Sequence, residues 1–124
     1  MLSCVKDYRE LEVWRTGHAL ALEIYSSTKS FPKEELFGLT GQMRRAASSI
    51  PANIAEGCGR YGDPELKRFL NIALGSACEL DYFVLLGREL GYLETGRAET
   101  LASTCLRLRC QLGAFIKKLG SARP

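Results

Sequence analysis

The apolar residues of this chain fall into four separate segments, and within each segment they recur every three or four positions. That spacing puts them along one side of an α-helix, whereas a strand needs alternation at every second residue, which the chain nowhere sustains. The segments cover about residues 10–30, 35–58, 63–90 and 95–119. The sequence therefore predicts an all-α protein with four helices.

The lengths of these segments also predict how the helices are arranged. Each segment would span roughly 30–42 Å at 1.5 Å per residue. Helices of similar length joined by short connections favour an antiparallel up-down-up-down bundle. Because 124 residues suffice for one core and not for two, we expect residues 1–124 to form a single four-helix-bundle domain.

A proline lies inside the second segment. Pro51 has no N–H to donate to the carbonyl of Ala47, and its ring crowds that carbonyl. Either a kink in one helix or a break into two short helices would relieve this conflict. We favour the kink, because the apolar seam continues past Pro51 without a change of phase. The seam residues are Leu39, Met43, Ala46, Ile50 and Ile54.

The fourth segment has the most regular apolar pattern, and the third has the broadest. Spacings of four and three alternate along the fourth segment, as in the seam of a helical bundle. Its seam residues are Leu101, Cys105, Leu108, Leu112, Phe115 and Leu119. The third segment is apolar around most of its circumference between Phe69 and Leu86. Since excess apolar surface is usually covered by a partner, self-association is the simplest prediction.

Glycine, proline and aspartate predict where the helices end. Residues 57–62 are the clearest loop, Asp63 is a suitable N-cap, and Pro64 suits the first helical turn. Gly91 is placed to stop the third helix. Phe31-Pro32 ends the first helix, because a residue before proline avoids the α-helical region.

Composition narrows the class of protein. The net charge of the chain is +3. The last 31 residues sum to +4, and the rest of the chain sums to −1. No run of about 18 apolar residues is present, so no membrane span is expected. The five cysteines are odd in number and include no Cys-x-x-Cys motif, which is typical of reduced thiols. A cytoplasmic location is the prediction.

No catalytic, cofactor or metal site is predicted. His18 is the only histidine, and residue 15 is arginine, so the Glu-x-x-His motif of a di-iron bundle is absent. Gly57, Gly59 and Gly62 spell a dinucleotide fingerprint. That fingerprint needs a preceding strand, whereas here a helix precedes it. We therefore predict that the protein is not an enzyme and needs no cofactor or metal.

The charged residues on the helices allow two interpretations. Glu79, on a largely apolar helix, is predicted to form an ion pair with an arginine of the second helix. The basic residues either form a solvated face or contact phosphate groups, to which the arginine fork is well suited. The candidate nucleic-acid contacts are Arg44, Arg45, Arg60, Arg107, Arg109, Lys117 and Lys118.

Several stretches resemble one protein family. They are Tyr8–Trp14, Phe31–Thr40, Arg44–Ala47, Ser49–Gly57, Phe69–Ser76, Glu79-Leu80 and Leu90–Leu93. Together they resemble the 23S ribosomal RNA intervening-sequence family of four-helix-bundle proteins, strongly over about residues 8–93. The signature residues that we single out are Pro51, Asn53, Glu56, Gly57 and Glu79.

The resemblance implies an up-down bundle that assembles into a ring-like homopentamer. It also implies kinship with the accessory variability determinant of diversity-generating retroelements, a basic pentamer that binds nucleic acid and a reverse transcriptase. Two functions follow. One is a non-enzymatic oligomeric scaffold that binds nucleic acid or a nucleic-acid enzyme, and the alternative is a structural or protein–protein adaptor with no nucleic-acid role.

Overall fold

The computed structural model describes residues 7–121, and over this range the chain forms four long helices. They are α1 (Glu12–Ser27), α2 (Leu39–Gly59), α3 (Asp63–Glu89) and α4 (Thr95–Ser121). Short 3₁₀ turns at Tyr8–Glu10, Thr28–Ser30 and Lys33–Glu35 flank α1 and lead into α2. No strand occurs in the described part of the chain, and the predicted all-α four-helix fold is confirmed.

The helices are arranged as a ring in which sequence neighbours are also neighbours in space. α2 packs against α1 and α3, while α4 packs against α3 and α1. α2 and α4 therefore lie diagonally across the bundle. The connections are short, with three residues between α2 and α3 and five between α3 and α4. Short connections of this kind hold consecutive helices antiparallel.

The predicted seams form the core. In α2, the five predicted seam residues are all buried, and in α4 Leu101, Cys105, Leu108 and Leu112 are 0% exposed. Phe115 and Leu119, nearer the end of α4, are only half-buried. In α3, the inner seam is likewise buried. Its residues are Leu66, Leu70, Ala73, Ala77, Leu80 and Val84.

α2 is continuous across Pro51, so a break into two short helices is wrong. Pro51 is buried and lies against α1 at Gly17, where an added Cβ would be 3.8 Å from the proline Cδ and 3.1 Å from Ile50 Cγ2. The absence of a side chain at Gly17 thus lets α1 approach α2 closely at the proline. A kink in α2 stays a prediction.

The loop predicted at residues 57–62 is shorter than expected. α2 extends to Gly59, and Gly57 is buried, with an added Cβ 3.0 Å from Leu66 Cδ1 and from Phe69 Cβ. Gly57 therefore serves close helix packing rather than a turn. Within this stretch, only Gly62 has the positive φ expected of a turn glycine, at +90°. Gly62, and not Asp63, is the N-cap of α3.

Gly91 ends α3 as predicted. Its φ is +81°, its N–H donates to the carbonyl of Arg88, and the next N–H, of Tyr92, donates to the carbonyl of Gly87. These bonds satisfy carbonyls that the end of a helix leaves without partners. By length and composition alone, α3 could cross a membrane, because an 18-residue stretch reaches a mean hydropathy of 1.5. Core helices of soluble proteins pass the same test, and α3 packs between α2 and α4.

Candidate functional site

The seven candidate nucleic-acid contacts do not converge on one surface. Arg44 and Arg45 lie in the first half of α2, whereas Arg60 follows its last residue, roughly 24 Å farther along at 1.5 Å per residue. Arg107 and Arg109 lie on α4, which is diagonal to α2. Lys117 and Lys118 occupy the last turns of α4 and are exposed. The predicted cationic groups thus divide among separate parts of the bundle.

Arg44 and Arg45 point to different neighbours. Arg44 faces α1, where its Nε donates to Thr28 Oγ1 at 2.9 Å and its guanidinium lies 4.9 Å from the centroid of the Tyr25 ring. Arg45 is exposed and lines the groove between α2 and α3 beside Ser76. Consecutive residues on a helix differ by about 100° in direction, so the two arginines cannot grip one ligand together.

Two of the seven candidates already have carboxylate partners. Arg60 Nη2 lies 3.1 Å from Glu56 Oε2, and Arg109 Nη1 lies 3.7 Å from Asp81 Oδ2. Both pairs are accessible to water, so they contribute little to stability. They do lower the net positive charge that these arginines offer to a phosphate.

The ion pair predicted for Glu79 is wrong. Among the described residues, no Lys or Arg nitrogen lies within 4.0 Å of the Glu79 carboxylate, although Arg45 lines the same groove. Glu79 is exposed, and water satisfies an exposed carboxylate without a partner. Glu56 binds Arg60 of its own helix end rather than Arg44 or Arg45, because an i, i+4 pair needs no tertiary alignment.

Asn53 holds Ser49, which links the facing surfaces of α2 and α3. Its Nδ2 donates to the Ser49 carbonyl at 2.8 Å and to Ser49 Oγ at 2.9 Å. Ser49 Oγ in turn lies 2.9 Å from Ser76 Oγ of α3. The signature residues Pro51, Asn53 and Gly57 thus serve the close packing of α2 on its neighbours.

The face of α3 opposite its inner seam carries a second row of apolar and small residues, which we call the outer seam. Ile72, Tyr82 and Leu85 are 41%, 55% and 43% exposed. The outer seam consists of Ile72, Gly75, Cys78, Tyr82 and Leu85. Spacings of three and four keep these residues on one face. Of the apolar breadth predicted for this helix, Ile72 and Leu85 are exposed, whereas Phe69 and Phe83 are buried in the bundle.

Gly75 lies in the middle of the outer seam, and no other described helix packs against it. A Cβ built at Gly75 has no atom within 4 Å beyond its own helix. Glycine inside a helix is less favourable than alanine by about 1 kcal/mol. Gly75 lowers helix stability without any closer contact in the described chain.

The cysteines divide by burial. Cys78 and Cys110 are exposed free thiols, whereas Cys58 and Cys105 are buried. Burial raises the pKa of Cys105 to about 12, and the nearby Asp81 carboxylate adds to this effect. Cys105 therefore stays protonated at neutral pH and acts as a small apolar core residue. Cys4 lies outside the described residues.

We expect thiol reagents to distinguish these cysteines. At pH 8, Cys110 should be labelled within minutes, whereas Cys105 should react only as fast as the bundle opens. Peptide mass spectrometry after timed labelling measures each rate, and the denatured chain provides the reference. Equal native rates for Cys105 and Cys110 would contradict the burial of Cys105.

Within residues 7–121, no three His, Cys, Asp or Glu side chains lie close enough together to hold a metal ion. His18 is exposed, and its ring stacks on Trp14 with centroids 4.7 Å apart. Trp14 also makes an edge contact with Tyr8 at 5.1 Å. The single histidine therefore belongs to an aromatic cluster on α1.

The comparison that decides the family covers most of the chain. The family model described as "23S rRNA-intervening sequence protein" matches residues 9–114. The chain belongs to the 23S rRNA-intervening sequence protein family. The match extends through most of α4, beyond the stretch in which the sequence motifs are strongest.

A solved structure agrees with this assignment to the 23S rRNA-intervening sequence protein family. It is a protein of unknown function from the S23 ribosomal protein family of Bacteroides thetaiotaomicron VPI-5482, with 26% sequence identity and a TM-score of 0.79. The similarity covers 85% of this chain and 95% of that one. A comparison with curated proteins finds no match.

Proposed function

We propose that this protein is a non-enzymatic, homo-oligomeric scaffold of helical bundles, with five copies per ring. The outer seam of α3 is the single observation that carries the proposal. A second apolar row opposite the core stays in contact with water in a monomeric bundle, so it does not stabilise the monomer. A second copy of the chain would cover Tyr82 and Leu85 and would give Gly75 a close neighbour.

The free energy gained by burying the outer seam favours assembly over chance exposure. Burying a leucine or tyrosine side chain contributes roughly 1.5–3 kcal/mol relative to leaving it in water. Leu85 and Tyr82 lie one turn apart on the outer seam, so one partner helix can cover both. In a closed ring every copy contributes this contact, and the contributions of all copies hold the ring together. The number five follows from the family resemblance.

We further propose that the assembly binds nucleic acid, or an enzyme that acts on it, through its unpaired cations. Among the described residues, Arg107 and Lys117 have no carboxylate within 4.0 Å. Five chains of charge +3 would carry about +15, and symmetry would repeat the same cations around the ring. The kinship with the retroelement accessory protein, which the sequence resemblance implies, is part of this proposal.

Binding to nucleic acid should be weak, independent of sequence and sensitive to salt. For duplex DNA, log affinity falls by about 0.9 per neutralised phosphate for each unit of log salt. The combined change of Arg107 and Lys117 to glutamine should flatten that slope without lowering the melting temperature. Fluorescence anisotropy with a labelled duplex, measured from about 50 to 200 mM salt, gives the slope.

The matched control is Arg68→Gln. Arg68 is also exposed but pairs with Glu65 at 3.3 Å, so its loss should leave the salt slope nearly unchanged. If the wild-type protein binds no nucleic acid near 50 mM salt, the nucleic-acid part of the proposal fails.

The second candidate function is a protein–protein adaptor without a nucleic-acid role. Two observations favour the adaptor. The seven cations are dispersed over separate parts of the bundle, and Arg60 and Arg109 are already paired with carboxylates. In that case the unpaired cations only keep the surface soluble. An oligomer that shows no nucleic-acid binding, and that purifies with a protein-like ratio of absorbance at 260 and 280 nm, would support the adaptor.

A further inference from the structure

A pocket of about 400 Å³ lies where the turn after α1 meets the beginning of α2. Three cationic side chains line it, from Lys29, Lys33 and Arg44, and no carboxylate is among the lining groups. Thr28 and Thr40 add two hydroxyl groups. Three positive charges with no negative charge among the lining groups suit an anionic ligand with two or more negative charges.

Arg44 is held in place without being neutralised. Its Nε donates to Thr28 Oγ1 at 2.9 Å, its Nη2 donates to the Tyr25 carbonyl at 3.4 Å, and the Tyr25 ring lies beneath the guanidinium. Nη1 has no hydrogen-bond acceptor among the described residues, and no carboxylate lies within 4.0 Å. A fixed guanidinium loses little freedom when it grips an oxyanion.

Thr40 supplies an independent indication that the pocket binds a polar group. The residue is only 3% exposed, and its Oγ1 is buried without any hydrogen-bond partner. A buried hydroxyl without a partner is unfavourable by roughly 1–3 kcal/mol. Because Thr40 lines the pocket, an oxyanion bound there could accept its hydrogen bond after a rotation about Cα–Cβ.

The surrounding turn is anchored rather than loose. Glu35 accepts the Leu39 N–H at 3.0 Å through Oε1 and the Tyr92 hydroxyl at 3.1 Å through Oε2. Its carboxylate, which would otherwise oppose an anion, is thereby committed to α2 and to the α3–α4 connection. The hydrogen bond to Glu35 raises the pKa of Tyr92. The pocket also lies at the positive end of the α2 dipole, since Thr40 is the second residue of that helix.

We propose that this pocket binds a phosphate monoester group. Its two negative charges would face Lys29, Lys33 and Arg44, while the apolar part of the pocket at Phe31 would contact the group that carries the phosphate. The phosphate belongs either to the 5′ end of a nucleic-acid strand or to a small phosphorylated molecule. The strand-end form rests on the proposed nucleic-acid function, whereas the phosphate site itself lies within one chain.

Two titrations of the full chain at low salt test the site. In the first, isothermal calorimetry measures inorganic phosphate binding. In the second, fluorescence anisotropy compares a labelled ten-nucleotide strand that carries a 5′-phosphate with the same strand ending in a 5′-hydroxyl. We expect the phosphorylated strand to bind at least tenfold more tightly. Phosphate binding without a preference for the phosphorylated strand would assign the site to small phosphorylated molecules.

Single substitutions distinguish binding in this pocket from general attraction between charges and from effects on folding. Arg44→Gln should remove the preference for the 5′-phosphate, and Arg44→Lys should restore it only in part, because lysine keeps the charge without the fork. Lys33→Gln should weaken it severalfold without loss of a hydrogen bond within residues 7–121. Arg68→Gln, whose side chain pairs with Glu65 on α3, is the control.

The outcomes also separate this site from the proposed function. If the change of Arg107 and Lys117 to glutamine abolishes general binding while inorganic phosphate still binds through Arg44, the phosphate site and the general binding surface are distinct. If inorganic phosphate does not bind, and the two strands bind equally in the wild type and in Lys33→Gln, the phosphate site does not exist.

Discussion

Replacing Leu108 by alanine is expected to lower the free energy of unfolding by about 2–5 kcal/mol. Leu108 is 0% exposed at the centre of the α4 seam, so its loss leaves a cavity that rigid neighbouring helices fill only in part. Leu112→Ala should have an effect of the same size, because Leu112 is also 0% exposed one turn farther on. Urea denaturation followed by circular dichroism measures both changes.

Leu106 offers a matched control on the same helix. It is 57% exposed, so Leu106→Ala should change the free energy of unfolding by less than about 0.5 kcal/mol in the monomer. If Leu108→Ala and Leu106→Ala had equal effects, the inner face of α4 would be misassigned. A loss below about 0.5 kcal/mol at Leu108 would lead to the same conclusion.

The second large effect concerns assembly. Changing Tyr82 and Leu85 together to glutamate should weaken self-association at least 100-fold, because each change removes apolar contact area and places a charge where water is excluded. Light scattering at micromolar concentration should then show a monomer in place of an oligomer. Circular dichroism should remain that of a folded helical bundle, since both residues are exposed in the single chain.

Leu22→Glu is the control for this experiment. Leu22 is 59% exposed on α1, away from the outer seam, so the oligomer should persist in this variant. A wild-type protein that is already monomeric at micromolar concentration would refute the assembly proposal. If Leu22→Glu alone dissociated the oligomer, the interface would lie on α1 rather than on α3.

Gly75 gives the assembly prediction a sharper form. Gly75→Ala should stabilise the isolated α3 helix, because alanine is favoured by about 1 kcal/mol and its Cβ would have no described residue outside α3 within 4 Å. In an assembly that brings a second helix against Gly75, the same methyl group should loosen the contact. The substitution should thus raise the stability of the single chain and weaken the association of copies in the oligomer.

The candidate site was less accessible to sequence reasoning than the fold. The seven cations were identified by residue type, but the pairing of Arg60 with Glu56 and of Arg109 with Asp81 depends on side-chain positions. The pocket beside Arg44 was missed. Lys29 and Lys33 flank Phe31-Pro32 in the sequence, which was a usable signal, but nothing local brings them to Arg44 or leaves Thr40 without a partner.

The four helices and most of their buried residues follow from local sequence patterns. The three-to-four-residue spacing of α4 and the stop at Gly91 are local properties, because backbone hydrogen bonding and apolar periodicity act within one helix. Other features appear only when the helices pack together: Gly57 lies against α3, Glu79 has no arginine within 4.0 Å among the described residues, and Arg44 donates to Thr28. These outcomes depend on the rotation and close approach of whole helices, which are set by the summed packing of many side chains and not by any single residue.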